Sequence, residues 1–208
     1  MKYFLIIFVS LSFSLNTIGQ ADTGFTNKEE AKNRFKNGLQ EGKWIEYIDS
    51  NGSDTKKNNA VEYSLTIYRD GKPNGIQRDY YKSGKLKAEY HFVNGVPNGI
   101  NKMFSVDGKL MAEYPFSEGK QNGVAKSYYP SGKLMYEAPF VNGSPNGMTK
   151  DYYESGALKK ETPYTHGMEN GTEKEYYENG KIESETVYTN GEKGDVKHFD
   201  ENGNEMKQ

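Results

Sequence analysis

Any chemistry in this chain would have to come from side chains that recur. Arg78, Lys102, Lys126, Lys150 and Lys174 stand 24 residues apart and make a basic column, with Lys197 in register. Glu89, Glu113, Glu137, Glu161 and Glu185 make an acidic one. A row of cationic side chains suits phosphates and a row of carboxylates suits cations. Side by side, the two neutralise each other and hold sheet edges in solution. An active site needs one place that differs from the rest, and a glutamate repeated five times offers none. His91, His166 and His198 occupy three different repeat positions, so they do not gather at metal-ligand spacing. There is no cysteine nucleophile, no serine in a Gly-x-Ser-x-Gly elbow, and no Asn-Gly turn opening a phosphate-binding helix. The expectation is a protein that is not an enzyme and uses no cofactor or metal. The irregular first unit, with Trp44 and the loop at 50–59, is the one place where a reactive pocket could form.

Aromatic residues form columns of their own. Tyr80, Phe104, Tyr128, Tyr152 and Tyr176 make one ladder, continued by Tyr47 and Phe199; Phe92, Phe116, Phe140, Tyr164 and Tyr188 make another. Leu86, Leu110, Leu134, Leu158 and Ile182 supply an aliphatic row. Same-face neighbours on adjacent strands contribute about 0.2–1 kcal/mol per pair, and packing accounts for the ladders on that scale. The sharper reading is a surface that stacks on a ligand. Its candidate partner-binding residues are Tyr81, Tyr128, Tyr129, Tyr152, Tyr153 and Tyr177.

The elements that position these residues are set by glycine. Gly71, Gly95, Gly119, Gly143, Gly167 and Gly191 keep a 24-residue count, and series beginning at Gly75 and Gly84 keep the same count. A fixed period in this range marks a repeat architecture. Within a unit, Ile76 to Tyr81 and Leu86 to Val93 are strand-like runs bounded by Gly, Asn and Pro. A three-residue Lys82-Ser83-Gly84 loop, with glycine left-handed, predicts a type I turn with a bulge. That register sets Tyr80 opposite Leu86 and places Ile76, Tyr80, Leu86, Tyr90 and Phe92 on one face. A two-residue loop would pair Arg78 with Glu89 and split the apolar set, so the longer loop is preferred. The fold class is all-β: an elongated single-layer antiparallel β-meander of 24-residue hairpin repeats.

The 208 residues divide unevenly. Residues 1–19 carry Lys2, an apolar run and small residues near a cut before Gln20, and read as a signal peptide that exports the chain. Residues 20–34 read as a linker, in which Thr26 and Glu29 have capping-box spacing; a short helix and a flexible lead-in fit equally. The array occupies 35–208 in about seven units, the first irregular and the last truncated. A formal net charge of -2 gives no general attraction to nucleic acid or anionic lipid.

The pattern Asn-Gly-x-x-x-x-Tyr-Tyr-x-x-Gly-Lys-Leu-x-x-Glu, seen at Asn74 to Glu89, resembles the MORN-repeat variant of bacteria, the YwqK-type antitoxin-like proteins. The resemblance spans about residues 35 to 203. It implies an extended β-meander without catalytic residues that binds protein or phospholipid. The leading expectation is a non-catalytic repeat protein of the periplasm, cell surface or exterior that binds a protein partner. The alternatives are an antitoxin or immunity protein neutralising a cognate toxin, and a phospholipid- or glycan-binding module.

Overall fold

A computed structural model describes residues 24–206. The expected signal peptide at 1–19 lies outside the described residues. Twenty strands join in one open antiparallel sheet, and the only helices among the described residues are 3-10 turns at Lys28–Glu30 and Lys57–Asn59. Each main strand pairs with its neighbours in sequence: Gly75–Tyr81 with Leu86–Val93, and that strand in turn with Gly99–Phe104. The meander continues in this way to Glu192–Phe199. Each regular unit also has a two-residue strand, such as Val96–Pro97, just after the inter-unit turn.

Turn chemistry explains the regularity. Between units, Asn94 and Gly95 both have positive φ, 52° and 82°, the requirement of the type I′ turn that matches strand twist. These turns stack. Gly95 N–H donates to the Pro73 carbonyl at 2.7 Å and Gly119 N–H to the Pro97 carbonyl at 2.8 Å. Inside a unit, Tyr81 N–H donates to the Lys85 carbonyl and Gly84 N–H to the Tyr81 carbonyl, giving the expected three-residue loop.

The distribution of side chains between faces differs from expectation. Tyr80 does oppose Leu86, but Asp79 opposes Ala88 and Arg78 opposes Glu89. Lys87 is therefore an extra residue, a β-bulge, and the same register shift recurs in the next four units. A bulge moves every residue beyond it to the other face. Ile76, Arg78, Tyr80, Leu86, Glu89 and His91 share one face; Tyr90 and Phe92 lie on the other. The three-residue loop and the Arg78–Glu89 pair, exclusive in a ladder without a bulge, coexist.

The deepest packing is at the N-terminal end. Phe25, Leu65, Ile67 and Tyr80 form a buried cluster with Ala31, Ile45, Tyr63 and Leu86 against it. Elsewhere the buried residues are small or polar, among them Ala112, Ala125, Ala138, Thr149 and Thr162. This fits a thin sheet whose longer side chains lie over short ones. The stretch expected to be a linker, as far as it is described, runs across the sheet: Phe25 is only 5% exposed. Its 3-10 turn is capped by Asn27, whose side chain accepts from Glu29 N–H, rather than by Thr26.

Candidate binding face

The Arg78 face carries three bands along the array. Nearest the hairpin loops are the Tyr80 and Leu86 columns. In the middle, the basic and acidic columns interleave, because Glu89 pairs with Lys102 across the unit boundary and Lys102 with Glu113 within a unit. The alternation continues through Lys126, Glu137, Lys150, Glu161, Lys174 and Glu185 to Lys197. The third band consists of cross-strand pairs: Ile76 with His91, Ile100 with Pro115, Val124 with Pro139, Met148 with Pro163 and Thr172 with Val187.

Mutual neutralisation of the charged columns holds in part. Arg78 Nε lies 2.7 Å from Glu89, whereas Lys102–Glu113 and Lys174–Glu185 are open at 3.7 and 3.8 Å. Lys126 and Lys150 make no hydrogen bond or ion pair among the described residues. The glutamates beside them are turned to tyrosine: Tyr128 donates to Glu113 at 2.9 Å, Tyr152 to Glu137 at 2.7 Å and Tyr176 to Glu161 at 2.7 Å. Burial first, and then each carboxylate neighbour, pushes these three phenols up to about 12.

All six tyrosines singled out from the sequence are half-buried and hydrogen-bonded to the next or preceding unit. Tyr128 and Tyr152 hold glutamates as above. Tyr81 donates to the Phe104 carbonyl, Tyr129 to Tyr152, Tyr153 to Tyr176 and Tyr177 to Phe199, at 2.6–2.9 Å. They form two lines of struts, on different repeat positions, and do not converge on one point. The second regular unit has Ser105 at the Tyr81 position, which interrupts one line.

Three other expectations concern special places. His91 sits under Ile76 and beside Gly99, His166 lies in a turn with φ 50°, and His198 opposes Ser184. Among the described residues no group of three or more His, Asp or Glu is placed to hold a metal ion. Trp44 is edge-on to Phe35 and Tyr68, and its indole N–H donates to the Arg34 and Glu41 carbonyls. At the 50–59 loop, Lys57 joins Tyr47, Ala60 and Tyr63 in lining an open depression.

The feature not foreseen is the contrast along the third band. At the N-terminal end it is covered by the chain's own residues: Gly24 approaches Ile76, Arg78 Nη1 donates to the Phe25 carbonyl at 3.3 Å, and Lys43 pairs with Glu30. Asn33 anchors the cover by exchanging two hydrogen bonds with the Ile45 backbone. Beyond it, Ile100, Val124, Met148 and Val187 are 39–47% exposed. Two signals were available in the sequence: an isolated Phe25 in a polar stretch, and Leu65 where later units have glutamate.

The other face changes character along its length. Tyr90, Tyr114 and Tyr136 lie among alanines in the first three regular units. In the last two, buried Glu173 accepts from Thr162 and pairs with Lys160, which also reaches Glu175. Burial pushes the neighbouring Asp151 carboxyl up.

No curated protein matches the chain. Residues 73–94, 121–142, 145–166 and 169–190 match the MORN repeat variant, so four of the five regular hairpin units are similar to that repeat.

Proposed function

We propose that this is a non-catalytic binding protein of the cell envelope or exterior that takes a protein partner on its β-sheet. One observation carries the reading: an apolar band continuous with the protein's own buried cluster stays open over four successive units. Exposed apolar surface that continues in this way marks an interaction site, and the bands repeat the same groups without a distinct reaction centre. MORN-like repeats, as binding modules, agree with it. The apolar run within residues 1–19 supports export.

The test is affinity capture from envelope fractions, with the full chain folded or urea-unfolded as bait. A defined polypeptide retained in stoichiometric amount by the folded bait alone is the expected result. Retention of lipid only, or of nothing across several growth conditions, would overturn the reading.

A further inference from the structure

Three observations on the open band converge on what lies there. The first is continuity. The chain already carries a covering segment on this face, running across the strands from Ile76 to Ile45, with an apolar side chain buried and a backbone carbonyl received by Arg78. The open band is the direct extension of that track.

The second observation is charge. Val124 and Met148 are each followed two residues later, on the same face, by Lys126 and Lys150. These occupy the Arg78 column, yet make no hydrogen bond or ion pair among the described residues, since tyrosines engage the adjacent carboxylates. An occupant with carboxylates beside its apolar groups would satisfy them.

The third observation is period. Ile100, Val124 and Met148 hold equivalent positions two strands apart, about 9.6 Å at ordinary strand spacing, and Thr172 with its cross-strand neighbour Val187 makes the next step. A polyproline II chain turns once in three residues and about 9.3 Å. Over the four open units the mismatch accumulates to only about 1 Å on those figures. An extended β-strand alternates every two residues and does not keep this step.

We infer that the Ile100–Val187 band is the seat of an extended partner segment in polyproline II conformation, lying along the array. Its apolar side chains recur at every third position and its carboxylates meet Lys126 and Lys150. This rests on the protein-partner reading above and specifies the partner's chemistry.

The first test is fluorescence anisotropy with a labelled (Leu-Glu-Pro)4 peptide and the full chain at low salt. Saturable binding is expected, weakened about tenfold by Lys126→Ala with Lys150→Ala through loss of charge-assisted contacts. A (Leu-Lys-Pro)4 peptide is expected not to bind. Absence of binding, or equal binding by the double variant, overturns the inference.

The second test puts p-benzoylphenylalanine in place of Val124, Met148 or, on the opposite face, Tyr136, and irradiates in envelope extract. Crosslinks from Val124 and Met148 to one contiguous acidic, apolar stretch, competed by (Leu-Glu-Pro)4, support it. Crosslinks from these sites to lipid, or to residues scattered over a folded domain, overturn it. Crosslinks to protein from Tyr136 alone overturn it while leaving the protein-partner reading standing, and no protein crosslink from any site removes both.

Discussion

The covered N-terminal end and the open run beyond it use the same backbone and differ at a few side chains. Leu65 opposes Arg78 as Glu89 opposes Lys102, so Leu65 holds the place that is glutamate in the five following units. Ile67 accepts from Asn74 N–H as His91 and Pro115 accept from Asn98 and Asn122, and therefore holds the place of His91 and of Pro115, Pro139 and Pro163. Two aliphatic residues convert the charged and proline-lined track into a seat for Phe25. The hairpin and turn geometry fixes the sheet; what lies on it is chosen by substituents that the fold does not require.

The strongest way to break this comparison is to exchange the distinguishing residue. Leu65 is fully buried, and Leu65→Glu forces a carboxylate beneath Phe25. We expect a loss of about 4 kcal/mol or more in urea unfolding, since a carboxylate is buried under Phe25 beside an Arg78 already engaged by Glu89 and the Phe25 carbonyl. Release of the 24–33 segment should also appear as rapid trypsin cleavage at Lys28 and Lys32. The reverse exchange, Glu113→Leu, removes the hydrogen bond from Tyr128 and the open, solvent-screened pair with Lys102, and should change stability by about 1 kcal/mol. Equal effects from the two would mean that the cover is not what separates the regions.

Arg78 joins the two regions, since it pairs with Glu89 and holds the Phe25 carbonyl. Its side chain and that of Glu89 are 14% and 20% exposed. Arg78→Ala leaves a poorly hydrated carboxylate and should cost about 2 kcal/mol in the same unfolding assay. Trypsin cleavage at Lys28 should quicken, though less than in Leu65→Glu. Unchanged cleavage would show that the cover is held by Phe25 alone.

The struts from Tyr128, Tyr152 and Tyr176 belong to the open run; in their column at the covered end Tyr80 stacks on Tyr63 at 4.9 Å and has Leu65 in place of a carboxylate neighbour, and there it is Tyr68 that donates to a glutamate, Glu46. Tyr128, Tyr152 and Tyr176 are raised from 10.0 to about 12. A raised phenol favours the folded state while protonated, so its contribution is complete below pH 10 and disappears as pH climbs towards 12. Stability of the open run should therefore be level through neutral pH and fall between pH 10 and 12, as the unfolded chain releases protons first. Tyr152→Phe should cost about 1 kcal/mol at pH 7 and flatten that fall. An unaltered alkaline slope in the variant would separate the phenols from the effect.

Much of the fold is written in local sequence. Asn94-Gly95 specifies a turn with two positive φ values, and Gly84 specifies the loop, so the strands and their order were legible. The Lys87 bulge was not, because it leaves no glycine or proline signature and arises from the loop's register meeting the next unit's pairing. Tyr90 and Phe92 consequently lie on the face opposite to the one that simple alternation from the loop predicts. Phe104-Ser105, in place of the doubled tyrosine, marks a second unit outside the four matched stretches, yet Gly99–Phe104 pairs as its counterparts do. The tyrosines drew attention by number, but their hydroxyls tie the units together. The open band was harder to see, since Ile100, Val124 and Met148 read as ordinary strand residues until the bulge settles which side they share.

The smallest effect expected concerns the charged ladder where nothing covers it. Lys102–Glu113 and Lys174–Glu185 have N–O distances of 3.7 and 3.8 Å, and their lysine side chains are 37% and 36% exposed. Solvent and salt screen such pairs, and holding two long side chains in one geometry costs entropy. Lys102→Ala and Lys174→Ala should each shift the unfolding free energy by no more than about 0.5 kcal/mol, with the difference vanishing in 1 M salt on the order of a 3 Å screening length. The measurement is urea unfolding at low and high salt, set beside Arg78→Ala. A salt-insensitive loss at Lys102 as large as that at Arg78 would show that the open run is as tightly organised as the covered end. The distinction would then rest on shape rather than on charge.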